Sequence, residues 1–379
     1  MKVKRQNFFM VFYVFLIGIT IFSPEQFGTT LKYGIVPLVG MFFCAHINKT
    51  MNSIRIIAIL FLSTICISTF SSRCPGVAKL SGNFRSVCLL IVFFIILSTV
   101  KLNYIELEKI KTWYSVFSLF CGLWVVGTAL LNGLGNINRY KFEFIWGLKD
   151  VNYLLAFMLP GCYIAFRRVT FEKSKKKFLN ILCIFSALAS VLILETRASF
   201  LTIIIVLGIS AFEYFYEEGM SIQKIIILIL TIISAALIIA WIISMPAFSR
   251  LTSIDSYEDN IRLIIWKEAL KGFNANPLFG SGLGSASYYA VIATNYQSHN
   301  NYLDILCDFG IVGLLLFLSI IILLLRVPKK YKLYMVSYMI SFLLPLAFIN
   351  GFQTLVFWVP MLLLVHENVI LRSLKEENI

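Results

Sequence analysis

Three polar residues stand apart from an otherwise apolar chain. They are His299, in Ser298-His299-Asn300-Asn301; Arg197, in Leu194-Glu195-Thr196-Arg197-Ala198-Ser199; and Arg262, one helical turn before Trp266. Imidazole exchanges protons near neutral pH, whereas guanidinium stays charged and offers a planar fork that matches phosphate oxygens. Each residue has a plainer reading as well. A lone histidine at an interface is more often structural than catalytic, and its position alone does not decide. Arg197 sits in a connection of only a few residues between two apolar runs, so its charge lies at or just below a membrane surface, where it needs a partner or a task. One reading is an ion pair with Glu195 or snorkelling to headgroups; the other is a phosphate clamp.

The elements that must position these residues are membrane helices. Of 379 residues 59% are apolar and only 14% charged, outside the range of soluble domains. Apolar runs recur at about 8–22, 31–47, 54–70, 85–100, 113–131, 151–167, 178–194, 198–215, 224–243, 302–325, 333–350 and 352–370. Each is near the roughly 20 residues that a helix needs to cross the hydrocarbon core. The expected fold is an all-α polytopic membrane protein, a single domain over 1–379 with about twelve transmembrane helices and one large external loop, 244–301, between spans nine and ten. The first run follows Met1-Lys2-Val3-Lys4-Arg5 but has no small-x-small cleavage site after it, and it reads as a retained helix rather than a signal peptide.

Lys and Arg set the orientation, because cytoplasmic loops carry the excess of positive charge. With the N-terminus inside, inner segments hold 21 of the 33 basic residues, including the cluster Arg167, Arg168, Lys173, Lys175, Lys176 and Lys177. Both termini are then cytoplasmic and the 244–301 loop faces the periplasm or exterior. The net charge of +14 is mostly this inward bias and no sign of nucleic acid. Basic residues left outside are Lys32, Arg73, Lys79, Arg85, Arg139, Lys141, Lys149, Arg197, Arg250, Arg262, Lys267 and Lys271.

Within the loop, Ser256 and Asp259 fit a capping box, and about 259–273 reads as an amphipathic helix along the membrane surface that places Arg262 and Trp266 on one face. Asn276-Pro277 makes a turn, and Gly280-Ser281-Gly282-Leu283-Gly284-Ser285 is either a plain turn or a backbone that passes close to helices or substrate; no Lys-Ser/Thr follows to make it a nucleotide loop. Asp304 and Asp308, four residues apart, share a face directed to the bundle interior. Tyr288, Tyr289 and Tyr296 suit sugar stacking or interfacial anchoring. His46 and His366 fall at inner ends of spans. Seven of the eight cysteines lie in or beside apolar runs; Cys74 alone is in an outer loop, and no pattern indicates a metal or disulfide framework.

The re-entry His299-Asn300-Asn301-Tyr302-Leu303, followed by Gly310-Ile311-Val312-Gly313-Leu314, resembles the signature of the O-antigen ligase and polymerase superfamily of bacterial surface-polysaccharide assembly. Thr196-Arg197-Ala198-Ser199, Arg262 with Trp266, and Asn276-Pro277-Leu278-Phe279-Gly280-Ser281-Gly282 agree in order and spacing. The segment Gly147 to Ala156, with Asp150-Val151-Asn152, is similar to a weaker family element but lacks its proline. The strong part covers about 185–320; the first 140 residues match only in hydropathy and span count.

The resemblance implies a metal-independent, cofactor-free glycosyltransferase of the bacterial inner (cytoplasmic) membrane. Its donor would be a glycan on polyprenyl diphosphate, such as undecaprenyl diphosphate. By carry-over, Arg197 and Arg262 stabilise the diphosphate leaving group, and His299 acts as general base or orients the acceptor. Asn300, Asp304 and Trp266 are further candidates for substrate binding. Polymerisation of repeat units for O-antigen or capsule is the expected activity. The alternative is ligation of the glycan to lipid A-core in lipopolysaccharide, and a lipid-linked-glycan flippase is the reading from another class. Absence of internal repeats, and unusual charges confined to the outer face, favour an enzyme over a transporter. The absence of an appended soluble domain speaks against a protein-glycosylating relative. Expected partners are the lipid bilayer, a glycan donor, a glycan acceptor and other polysaccharide-assembly proteins of the cell envelope, with no nucleic acid.

Overall fold

A computed structural model describes residues 2–21, 53–77, 81–133, 150–172, 176–218 and 257–376. In chain order its α-helices are α1 Lys2–Ile21, α2 Ser53–Ser71, α3 Gly82–Leu97, α4 Tyr104–Asn132, α5 Val151–Thr170, α6 Lys177–Ile193 and α7 Arg197–Glu218, then α8 Tyr257–Ala275, α9 Ser285–Thr294, α10 Asn301–Leu324, α11 Lys332–Leu343 and α12 Leu355–Glu376. Helix is what an apolar chain in lipid must adopt, since it satisfies backbone groups within the segment. Among the described residues, six helical stretches are long and apolar enough to cross a membrane: Ser53–Ser71, Tyr104–Asn132, Arg197–Tyr214, Asn301–Leu324, Lys329–Phe348 and Leu355–Ser373. Ten of the twelve expected runs coincide with a helix; those at 31–47 and 224–243 lie outside the described residues, as do the capping residue Ser256 and the basic residues Lys32, Lys79, Arg139, Lys141, Lys149 and Arg250.

Helix α12 is the hub. It packs on α1, α3, α4, α5, α10 and α11, and 89% of its apolar window is buried. Helices α4, α5 and α6 pack tightly on one another. Small residues make the close approach possible: a β-carbon on Gly122 would lie 2.7 Å from the Ser186 Cβ, and one on Gly161 would overlap the Ser118 hydroxyl. Pro160 interrupts the ladder of α5, and hydroxyls from α4 serve the carbonyls nearby. Tyr114 donates to the Phe157 carbonyl at 3.0 Å and Ser115 to that of Gly161 at 3.1 Å.

Charged groups gather at one end of the bundle. Lys111 pairs with Glu108 (2.6 Å) and Glu367 (3.1 Å), Arg168 with Glu108 (2.7 Å), and Arg167 with Glu213 (2.7 Å). The Arg167 guanidinium also lies 4.3 Å from the ring centre of Tyr334, in the first turn of α11. These contacts orient the helices. Helix α7 packs along α11 and against the 3-10 turn Pro345–Phe348 that follows it. Glu213 marks the end of α7 next to the start of α11. Arg197 is sixteen residues earlier, roughly 24 Å along a helix at 1.5 Å per residue, and so lies at the opposite end, beside Pro345–Phe348. Asp150, before α5, is separated from Arg167 in the same way.

The expected span at 333–350 falls on the candidate span Lys329–Phe348 but is not one continuous α-helix. Helix α11 stops at Leu343 because Pro345 cannot continue the ladder, and the 3-10 turns Pro345–Phe348 and Gly351–Gln353 lead into α12.

Candidate functional site

The polar insert is built from two helices and a backbone splice. Helix α8 runs from Tyr257 to Ala275, close to the expected 259–273, and buries Ile265 and Ala269. Leu263 and Ile264 are exposed. Helix α9, Ser285–Thr294, was not expected. Its sequence, Ser-Ala-Ser-Tyr-Tyr-Ala-Val-Ile-Ala-Thr, carries little amphipathic signal, and its start is made by a residue distant in sequence. The Asp308 carboxylate accepts from the amides of Gly284 (2.7 Å) and Ala286 (2.9 Å) and from the Ser285 hydroxyl (2.9 Å). An anion placed on orphan N–H groups is a helix cap supplied from another element.

The glycine-rich return between α8 and α9 is threaded into α10. Gly310 has φ 69° and ψ −168°, which breaks the α10 ladder. Ile311 and Val312 then donate not to residues four back but to Pro277 (2.9 Å) and Leu278 (3.2 Å), while the stranded carbonyls of Cys307 and Asp308 accept from Ser281 (3.0 Å) and Gly282 (2.9 Å). Of the two readings open for these glycines, close passage against a helix is the one observed. The C-terminal end of α2 grips the same splice: Ser68 donates to the Asp308 carbonyl, Ser72 to the Ser281 carbonyl, and Thr69 accepts from the Leu283 amide at 3.2 Å. The first part of the chain thus supports the insert, although its sequence shows nothing specific.

His299 sits where the insert returns to α10, with φ 45°. That left-handed backbone costs about 1 kcal/mol for a residue with a β-carbon, and it persists because its neighbours are held on both sides. The Trp266 indole donates to the Ser298 carbonyl at 3.1 Å, and the Ser298 hydroxyl donates to Asp304. After it, the Asn300 side chain caps α10 by accepting from Tyr302 and Leu303, both at 3.1 Å. Asn301 accepts from the Phe352 amide at 2.7 Å. Asn300, Asp304 and Trp266 therefore all form the frame around His299.

Two charges act on the imidazole. Burial holds its pKa below the ordinary value of 6.5 and the Arg262 charge pushes the same way, whereas the Asp150 carboxylate opposes them. Asp150, which also caps α5 by accepting from the Asn152 amide at 2.7 Å, was not among the expected site residues. Its only sequence signal was its place in the weaker family-like segment. The Arg262 guanidinium lies 5.6 Å from the ring centre of Phe348, in the turn against which α7 packs. The charges of Arg262 and Asp150 thus both act on the His299 imidazole, and Arg197 begins its helix at the same end of the bundle.

Other candidates are placed elsewhere. Tyr288 lies against Gly76 and Tyr289 meets Cys74, so both pin α9 to the loop between α2 and α3; Tyr296 is exposed. His366 accepts or donates to the Tyr13 hydroxyl at 2.6 Å, well away from His299.

No curated protein matches the chain. Residues 181–318 match the family model described as O-Antigen ligase, a span that begins in α6, includes Arg197, Arg262, Trp266 and the splice, and ends in α10 beyond His299. The match over this segment supports a relationship to the O-antigen ligase and polymerase superfamily.

Proposed function

We propose that the chain is a membrane glycosyltransferase that joins polyprenyl-diphosphate-linked repeat units at the outer face of the bacterial inner membrane. The observation that carries this reading is that His299, in a left-handed turn held by Trp266 and Asp304, feels the charges of Asp150 and Arg262 at the end of the bundle where Arg197 begins its helix. In the reaction, an acceptor sugar hydroxyl attacks the anomeric carbon of the donor. The bond from that carbon to the diphosphate oxygen breaks, its electron pair leaves with the diphosphate, and the hydroxyl proton passes to the imidazole. Attack opposite the leaving group inverts the anomeric centre.

Each residue has a physical part. Burial keeps the His299 imidazole neutral and able to accept a proton. Asp150 favours the imidazolium that results. Arg197 and Arg262 face the charge that grows on the diphosphate, in surroundings where water screens little. Trp266, Ser298, Asp304 and Asn300 hold the backbone on either side of His299 and so set where its imidazole stands. Both termini are cytoplasmic in this reading, with the Lys111–Arg168 end inside.

The ligase reading, transfer to lipid A-core, draws on the description of the matched family model. Purified protein given a lipid-linked repeat unit alone, and then with lipid A-core, separates the two: a ladder in the first mixture means polymerase, and a product only in the second means ligase. If His299→Ala and Arg197→Ala protein still consumed lipid-diphosphate glycan at the wild-type rate, the assigned centre would be wrong.

A further inference from the structure

Helices α8 and α9 form a hairpin that descends beside α10 and climbs back. Trp266 of α8 meets the Ser298 carbonyl just before α10 begins, and six residues later a β-carbon on Gly272 would lie 3.5 Å from the Cys307 Cβ. The two helices therefore run the same way. The turn after α8 is bonded to α10 around Gly310, and α9 starts from the Asp308 carboxylate and leads back to the level of Trp266 and Ser298.

The depth of the hairpin tip follows from α10. Arg326, exposed just past Leu324, marks the membrane boundary at the charged end together with Lys329 and Lys330. A hydrocarbon layer of about 30 Å takes about 20 residues of helix from there, which puts the other boundary near Leu306. Gly310 and Val312, against which 277–280 is packed and bonded, then lie roughly 6 to 9 Å inside the layer. Ser68 of α2, which donates to the Asp308 carbonyl, is thirteen residues or about 20 Å from Arg55 near the other end of its helix, and so is also inside. Lys271, exposed and beside Gly272, falls at the boundary. A helical side chain leans toward the N-terminus of its helix, here out of the layer.

Two features suit the tip to hydrocarbon. Leu278 and Phe279 are exposed there, and they extend a stripe of exposed apolar residues, Ile311, Leu315, Leu318 and Ile322, that follows α10 at helical spacing as a lipid-facing side does. The backbone is served without water as well. Pro277 has no amide, every amide from Gly280 to Ala286 has a partner within the protein, and the carbonyls of Pro277 and Leu278 accept from Ile311 and Val312. Irregular backbone enters a membrane only on that condition.

We infer that α8 and α9 are a re-entrant hairpin whose tip, Pro277 to Phe279, is seated among the acyl chains of the leaflet at the His299 end of the bundle. Lipid around the tip keeps the hairpin against α10 and so holds Ser298 and His299 at the boundary. The inference rests on the membrane placement of α2 and α10 and not on the transfer reaction, so its failure and that of the glycosyltransferase reading are separately visible.

Nitroxide labels on the full chain in vesicles of phosphatidylcholine and phosphatidylglycerol test it. In a background with all eight cysteines replaced by serine, labels at Leu278→Cys and Phe279→Cys should collide with oxygen several times more often than with a water-soluble nickel chelate, as a label at Leu315→Cys does. A label at Lys267→Cys should show the reverse order. Should the cysteine-free chain fail to fold, Phe279→Trp in the natural chain gives the same answer. Its added emission should be quenched by lipids brominated on their acyl chains and not by aqueous acrylamide. Tip labels that favour the nickel chelate, or emission quenched by acrylamide instead, would make the tip aqueous and overturn the inference. Labels shielded from both reagents would mean that protein, such as a second copy of this chain, covers the tip, and would overturn it equally.

Discussion

Gly280 and Gly310 meet backbone to backbone: a β-carbon on Gly310 would come within 2.6 Å of the Gly280 amide nitrogen, and one on Gly280 would overlap the Asp308 carbonyl. Both residues have positive φ, 74° and 69°. This pair is the point at which the polar insert and α10 become one hydrogen-bonded unit, within α10 and downstream of the Asn300 cap and His299.

Substitution at the pair should therefore cost more than backbone strain alone. Gly284 has φ 89° but open space around it, so Gly284→Ala should lower stability by about 1 kcal/mol. Gly280→Ala and Gly310→Ala add an overlap with main chain and should each cost about 3 kcal/mol. Unfolding transitions in detergent would rank the three variants, and equal losses would contradict the splice.

Asp308→Ala removes the partner of two amides and a hydroxyl at the start of α9. A loss of about 2 kcal/mol is expected. The change should be local, with amide exchange accelerated over 285–290 while that of α5 and α12 is unaltered.

Ser298→Ala leaves Asp304 without the donor that ties the strand before His299 to α10. On the proposed mechanism the imidazole then samples misplaced positions, and kcat should fall about tenfold with KM for the donor nearly unchanged. A parallel loss of folded protein in thermal scans would mean a structural effect instead.

The pH dependence has a definite sign. His299 is held below 6.5, so it is neutral through the neutral range and the acidic limb of activity lies below pH 6.5. Asp150 opposes the lowering, and removing its charge lowers the imidazole further. Asp150→Asn, which retains a good helix cap, should move the acidic limb to lower pH. In stability the same depression acts in one direction: as pH falls through 6.5 the unfolded chain takes up this proton more readily, and the fold loses the contribution of His299.

Periodicity and length were enough to read most helices, because a lipid-facing or buried helix is apolar over about 20 residues whatever it touches. The same reasoning could not separate α12, buried on all sides, from helices that face lipid. It missed α9, whose cap is Asp308, and within the span it read at 333–350 it did not separate the α-helix that ends at Leu343 from the 3-10 turn that carries Phe348. Arg262 and Trp266 on one face of α8 were legible from their spacing of four, and both do turn toward the Ser298–His299 segment. Asp150 was not legible as a site residue, because nothing local marks a helix cap as the partner of an imidazole nearly 150 residues away.

By itself the sequence determined that this is a polytopic helical chain with a polar insert, and it picked out the arginines and the histidine as residue types suited to anion binding and proton transfer. Those properties are carried by hydropathy, charge and short spacing. Only the tertiary structure decided that Asp150, Arg262 and His299 share one end of the bundle, that Ser68, Thr69 and Ser72 hold the insert, and that the glycines complete the ladder of α10. These are contacts between residues far beyond a helical turn in sequence, made by backbone groups and caps that every chain possesses and that leave no local pattern to read.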